Sequence, residues 1–527
     1  MALATKIIEE FKPEFKSVDI AEVPYEKQGY HLAIEARTGN LLNIIDFLDR
    51  RDFYIIDLFC VDYQEYLELV YFFSTHRELC RIKVTLKLDP EKPVAPTISN
   101  VYTIARWYER EIHEFFGVYF EGHPNLTYLF LHEEIGHYPL RKKHVAVPDH
   151  DKKLLNSFKP HEEENSFFIN LGPQHPSTHG VLRVVLKMDG EYLVSAEPVL
   201  GYLHRMHEKM AENRSYMQFL PNPARMDYPG ALLFNLAYVE AVEKLCGIEV
   251  PERAKYIRTI TCELNRIASH LLWLGAFPAD LGALTPFMYA FDDRENILDI
   301  LEDVTGSRLT YCYFRFGGLY NDINEETFID ATKRFIERMR ERLVMYDKLI
   351  TGNVIFINRI KNIGILEQGQ AKKYGFSGPV IRSTGMPFDM RKVDPYAAYG
   401  SIDFEIPTGH IGDNMDRYLV RMKEIEVSLN IIEEGIKRLP SGPFKTEKVP
   451  KKLKPPKGDI YNAVESTRGE TGVYIVSDES DTPYRMRWRV PSYSNLMTFP
   501  HLARGVLIAD AIATLGSYDI VVPEIDR

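Results

Sequence analysis

The sequence predicts an α+β protein of more than one domain: a small N-terminal α+β domain joined to a larger, mainly helical bundle with peripheral β elements. Three observations carry that prediction. The chain has 527 residues, 45% of them hydrophobic, and at ~100–200 residues per domain this is enough for two to four cores. Two short helices, three consecutive strand-like runs and a further helix fill the first 145 residues, whereas long helical periodicities dominate from residue 166 onward. Between them, residues 146–165 turn polar and lose apolar periodicity, as a linker does. The predicted organisation is therefore 1–145, a linker over 146–165, and 166–527.

In the first unit the spacing predicts helices over 4–11 and 41–50, the latter with Leu41, Ile44, Ile45 and Leu48 on one face. Runs rich in β-branched and aromatic residues predict strands over 53–61, 66–74 and 81–88, closed by Pro90, Pro93 and Pro96. Helical spacing returns over 102–116. In the second unit short strands are expected over 167–171, 182–188 and 192–197. Helices follow over 230–245, 253–274, 292–304, 325–350 and 413–437. Residues 445–457, with six lysines and three prolines, read as an exposed loop. Strands over 472–477 and 485–490 and a helix over 502–515 complete the pattern.

Composition excludes several function classes. Lys and Arg number 64 against 75 Asp and Glu, a net charge of −11, which gives no general reason to expect nucleic acid or an anionic membrane face as partner. The N-terminal stretch places acids where a signal peptide needs an apolar core. The most apolar window, 271–291, contains Pro278, Asp280 and Pro286, and a mid-span carboxylate is costly in lipid; no span is expected. Cys60, Cys80, Cys246, Cys262 and Cys312 form no CxxC pair, so neither a zinc ribbon nor a self-contained iron–sulfur site is expected.

Four stretches could carry chemistry. Gly172-Pro-Gln-His-Pro-Ser-Thr-His-Gly180 presents His175 and His179 on a loop stiffened by two prolines; the same pattern also fits a structural turn whose histidines satisfy backbone groups. Asp227-Tyr228 stands at a helix entrance. Asp280 interrupts apolar sequence, so it needs a partner or a proton; histidine is the natural partner, and capping a short helix is the ordinary alternative. His204-Arg-Met-His-Glu208 could set two imidazoles and a carboxylate on one helical face. It lacks the HExxH pattern, and surface packing is the preferred reading over a metal site. Walker, GxGxxG and GxSxG motifs are absent.

Taken together, the motifs resemble those of a known family. Gly172–Gly180, Gly201-Tyr-Leu-His-Arg205, Glu208-Lys209, Arg225-Met-Asp-Tyr228, Asp280-Leu-Gly-Ala-Leu-Thr-Pro286, Gly378-Pro-Val-Ile-Arg-Ser-Thr-Gly385, Asp389-Met-Arg-Lys392, Asp416-Arg-Tyr-Leu-Val-Arg421 and Tyr518-Asp-Ile-Val-Val-Pro-Glu-Ile-Asp526-Arg527 resemble the D subunit of respiratory complex I. Upstream, Trp107-Tyr-Glu-Arg-Glu111, Phe116-Gly-Val118, Gly122-His-Pro124 and Pro139-Leu-Arg-Lys142 resemble the C subunit, so the chain is similar to a C/D fusion.

The resemblance implies a fold like the nickel–iron hydrogenase large subunit, without the thiolates that hold soft redox metals; no metal is expected in this chain. It implies a quinone, ubiquinone or menaquinone, as substrate in the vacated cavity. His179 and Tyr228 are expected to bind the head group and donate to it as catalytic residues, with Asp280 as partner of His179. Arg205 and Thr310 are expected near a 4Fe-4S cluster held by the neighbouring B subunit. The other implied partners are subunits I, H and A, and the implied place is the periphery of the inner membrane on its cytoplasmic side, in a proton-translocating NADH:quinone oxidoreductase. Departures from the pattern are Thr310 in place of histidine, Asn222-Pro-Ala-Arg225 before the tyrosine, Met206-His207, and Thr127-Tyr128. A hydrogenase-lineage reductase with another acceptor and a non-catalytic assembly scaffold are the alternative readings.

Overall fold

A computed structural model describes residues 2–132, 135–148, 167–175 and 180–527, and they form the mixed α+β structure the sequence predicts. The N-terminal sheet has five strands in the order Ile20–Glu22, Leu32–Ala36, Ile82–Leu88, Leu67–Ser74, Tyr54–Asp62, antiparallel except for the Leu32–Ala36/Ile82–Leu88 pair. Every residue of Tyr54–Asp62 and of Leu67–Ser74 is buried, which requires a cover on both faces. Packing of the sheet's second face is supplied from far along the chain. Phe59 and Phe72 meet Tyr474 and Tyr461, each pair with ring centroids 4.9 Å apart.

Those tyrosines lie on an antiparallel sheet of Gly458–Glu465, Glu470–Ser477 and Arg485–Arg489. Its last strand reads Arg-Met-Arg-Trp-Arg, and the two-residue period of a strand sorts it. Arg485 and Arg487 reach the carbonyl of Cys60 and the carboxylate of Asp57 in the N-terminal sheet. Trp488, on the opposite face, stacks on Phe234 of the helix Ala231–Cys246. Sequence reading missed the strand Gly458–Glu465, which follows directly on the Lys/Pro-rich loop.

The helical body is organised on Glu252–Asp280, 29 residues and buried along most of its length, roughly 44 Å at 1.5 Å per residue. It runs past the end expected from periodicity, with Pro278 inside its last turn. Thr285–Thr305 packs along it, starting earlier than expected because Pro286 occupies the first turn, where a missing N–H costs nothing. Glu325–Tyr346 passes into a π-helical turn, Asp347–Thr351. Asn414–Lys437 is capped by Asp413, whose carboxylate accepts from the Asp416 N–H at 2.8 Å. The expected helix over 502–515 is two helices, Phe499–Leu502 and Ile508–Tyr518, separated at Gly505 with φ +75°, a backbone state suited to glycine. Among the described residues no helix is long and apolar enough to cross a membrane.

Candidate functional site

Tyr228 follows a one-turn helix, Pro223–Met226, and Pro229-Gly230 separates it from Ala231–Cys246. The preceding Asp227 is fully buried and accepts the Gly230 N–H at 3.0 Å, so the entrance turn pins the backbone of the tyrosine. Tyr228 itself remains 36% exposed. Partial burial raises the pKa of its phenol, opposed by the nearby Arg468 guanidinium.

Asp280 closes the Glu252–Asp280 helix, so it caps no helix start. It lies partly buried against the helix Ile508–Tyr518: a Cβ on Gly516 would stand 3.5 Å from its Oδ2. Trp273, two turns earlier, donates its indole N–H to the Gly516 carbonyl at 2.8 Å, fixing the same contact. His179 and the preceding residues 176–178 lie outside the described residues. His175 bridges to Gly180 across that loop.

Arg205 is exposed on a turn that begins at Gly201. Gly201 has φ +100°, and any Cβ there would sit 2.1 Å from the Phe130 carbonyl oxygen, so only glycine permits this approach. The turn is held by Asp526, whose carboxylate accepts the N–H groups of Gly201 and Leu203 at 3.0 and 2.8 Å, while its carbonyl faces Nδ1 of His204. Burial pushes the Asp526 carboxyl up to about 6 against those two donors. Thr310 has φ +51°, an unusual state for a β-branched residue. Its neighbour Tyr311 is within electrostatic reach of Arg294, which also reaches Tyr228.

Residues that sequence reading did not single out complete the arrangement. Arg468, fully buried, binds Asp227, Asp519 at 3.2 Å, Glu524 at 3.1 Å and the Ser269 hydroxyl at 3.3 Å. The segment 516–526 is thus the common anchor. Gly516 meets Asp280, Asp519 and Glu524 reach Asp227 beside Tyr228 through Arg468, and Asp526 holds the turn that bears Arg205. Asp519, Glu524 and Asp526 stand in the motif Tyr518–Arg527, whereas nothing in the sequence marked Arg468, and no spacing rule links it to them.

The His204–Glu208 stretch does not form one face of a surface helix. Met206 takes a left-handed conformation, φ 54°, so the helix His207–Glu212 starts after His204. His204 stacks between Phe115 and Phe130. Glu208 is buried among Arg485 at 2.6 Å, Arg487 at 3.3 Å and Arg527 at 3.6 Å. Among the described residues there is no group of three metal-ligating side chains, and all five cysteines are unpaired thiols.

A family profile described as respiratory-chain NADH dehydrogenase, 30 Kd subunit, matches residues 34–149, and one described as the 49 Kd subunit matches 280–454 and 447–527. Aquifex aeolicus has two NADH-quinone oxidoreductase C/D subunits that are similar to this chain. Its C/D 2 protein is 39% identical, with 99% of each chain covered. Its C/D 1 protein is 38% identical over 97% of this chain and 94% of its own. The NADH-quinone oxidoreductase D subunit of Desulfotalea psychrophila is 57% identical over 69% of this chain and 98% of its own.

Proposed function

The chain belongs to the family of NADH-quinone oxidoreductase C/D subunits, and from that premise we propose that it forms one wall of the chamber where the quinone is reduced. As a subunit of a multi-subunit oxidoreductase, it acts only in the assembled complex. Two electrons and two protons convert a quinone to its hydroquinone, and charge developing on each carbonyl oxygen needs a donor. In this reading the phenol of Tyr228 serves one oxygen and His179 the other, with Asp280 holding His179 in its cationic, donating form. Electrons arrive from a 4Fe-4S cluster in the neighbouring B subunit, with the Arg205 cation near it and Thr310 alongside. Subunits I, H and A complete the surroundings, proton pumping follows in membrane partners, and the protein lies at the membrane periphery on the cytoplasmic side.

The observation that supports the reading best is the convergence on segment 516–526: one short stretch positions Asp280, the turn before Tyr228 and the turn bearing Arg205. A phenol that is only partly covered, on a backbone pinned by buried Asp227, is preorganised to face a ligand. Tyr228→Phe in the assembled complex tests it. Loss of a positioned proton donor lowers quinone turnover by ~10²-fold or more, while electron entry measured with an acceptor that bypasses the site stays normal. Unchanged turnover and quinone affinity in Tyr228→Phe refute the assignment.

A further inference from the structure

The wall behind Tyr228 holds more negative charge than its cations neutralise. Arg468 carries three carboxylates, from Asp227, Asp519 and Glu524. The side chains of Arg468, Asp227 and Glu524 are fully buried; only that of Asp519, 12% exposed, reaches toward solvent. One further cation is close. Arg421 donates to the carbonyls of Arg417, Ser517 and Tyr518, and lies within reach of Asp519. Burial lowers Arg421 to about 10, so it stays charged at neutral pH. His270 is also within reach of Asp519, but burial lowers its pKa, and its Nε2 is engaged by Glu424 at 3.0 Å. Glu424 in turn is bound by Arg382. On the side of Tyr228 the remaining cation among the described residues is Arg294, which is nearer the phenol than the cluster's core. Among the described residues, two guanidiniums therefore face three carboxylates.

An uncompensated charge in a water-free setting is expensive, and the usual remedy is a proton. Geometry marks where it sits. Asp227 Oδ1 takes Arg468 and the Gly230 N–H, whereas its buried Oδ2 has no hydrogen-bond partner among the described residues, as suits a carboxylic acid O–H awaiting an acceptor. The titration tendencies agree: burial raises both Asp227 and Glu524 against the pull of Arg468, Glu524 up to about 7. The proton belongs to the cluster rather than to either acid.

We propose that Asp227, Asp519 and Glu524, gathered on Arg468, form a proton-holding cluster that refills Tyr228 after the phenol has protonated the quinone. The inference rests on the reading of Tyr228 given above. In the step, the iron–sulfur cluster of the partner subunit supplies two electrons, one at a time, and His179 gives the second quinone oxygen its proton. The Tyr228 O–H bond breaks, its proton forms a new O–H bond on a quinone oxygen, and a tyrosinate remains. Asp227, within electrostatic reach of the phenol, then passes its carboxyl proton to that tyrosinate through an intervening water. Glu524 and Asp519, the latter at the solvent edge, restore the cluster's proton from water. The cluster acts through Tyr228 and touches no quinone, so its residues position and supply rather than bind.

Quinone turnover by the assembled complex, measured from pH 5.5 to 9, tests the proposal. The wild type is expected to lose turnover as pH rises past the value near 7 to which burial pushes Glu524. Glu524→Gln, which has nothing to titrate, is expected to lower kcat roughly tenfold, leave KM for quinone unchanged and flatten that alkaline limb; Glu524→Asp restores the limb. Should Glu524→Gln fail to assemble, Asp519→Asn serves, because asparagine accepts the left-handed φ of 57° found there. Removing one negative neighbour weakens proton binding by the others, so the limb moves to lower pH. Tyr228→Phe separates the two ideas. Wild-type turnover in Tyr228→Phe overturns the quinone-site reading and the cluster with it. An impaired Tyr228→Phe beside Glu524→Gln or Asp519→Asn with a wild-type pH profile overturns the cluster alone.

Discussion

Glu208 belongs to a buried ionic cluster that joins the N-terminal unit to the rest of the chain through Asp57 and Glu111, and its neutralisation has a calculable cost. The cluster comprises Asp57, Glu111 and Glu208 against Arg485, Arg487 and Arg527, so charges balance three to three. Burial alone would raise the Glu208 pKa; the guanidiniums of Arg485, Arg487 and Arg527 overcome it and hold the carboxyl at about 2. Relative to an ordinary value near 4.5, that shift contributes about 3 kcal/mol to the folded chain at neutral pH. A separate argument gives the same size, since removing one partner of a buried pair costs ~3–5 kcal/mol. Glu208→Gln keeps the shape and discards the charge. At ~2.1 cal/mol/K of unfolding entropy per residue, 527 residues unfolding together turn 3 kcal/mol into about 3 °C. The sign with pH follows from a depressed folded pKa. Wild-type stabilisation is complete above the unfolded value and is lost as pH falls toward about 2, so the gap between wild type and Glu208→Gln narrows below pH ~4.5. Melting of the purified complex at pH 7, with urea unfolding of the chain at pH 7, 4 and 3, measures both. A Glu208→Gln variant that melts with the wild type at pH 7, or a gap that widens on acidification, refutes the account.

Glu109 behaves in the opposite sense. Burial pushes its carboxyl up to about 8, against the Thr97 hydroxyl and the Ile98 N–H. The unfolded chain releases that proton first, so wild-type stability falls by ~1.4 kcal/mol per pH unit between about 4.5 and 8. Glu109→Gln removes this slope and gains on the wild type as pH rises across that window, checked by parallel melts at pH 5 and 8; parallel slopes exclude it. At Thr310, with no titratable group in the histidine's place, the midpoint potential of the partner cluster is expected to be nearly independent of pH. Thr310→His, which suits the left-handed φ of 51° better than threonine, introduces a slope approaching about 59 mV per pH unit. A wild-type redox titration with that full slope contradicts the assignment.

Much of the fold was legible because its periods are strong. The strands at 54–62 and 67–74 and the helices at 231–246 and 414–437 carry apolar patterns that admit one reading each. The sequence misled where a rule acted alone. Apolar periodicity ended the central helix at 274, whereas the structure carries it to Asp280 with Pro278 inside its last turn. His204–Glu208 read as one helical face because spacing ignores φ, and Met206 breaks the face with φ 54°. Tyr228 and Asp280 could be singled out, one by its helix entrance and the other as a charge inside apolar sequence. Arg468 could not, since its partners at 227, 519 and 524 are brought to it only by tertiary packing. Buried ion networks have no sequence period, and their members look like surface charge until the chain is folded.

That invisibility has a physical counterpart in how the site is built. In a metal centre thiolates and the ion fix one another's positions, so geometry comes from coordination. Here the turn at Gly201 and the segment 516–526 are fixed instead by carboxylates accepting backbone N–H groups and by one guanidinium shared among three acids. Such anchors rigidify a wall as coordination does, but they bring charge that burial penalises. Burial answers that penalty by favouring the protonated forms, raising Asp526 to about 6 and Glu524 to about 7. A wall built on buried acids thus carries exchangeable protons as a by-product of its construction. On the proposal made for Tyr228, the scaffold and the proton supply are one set of residues.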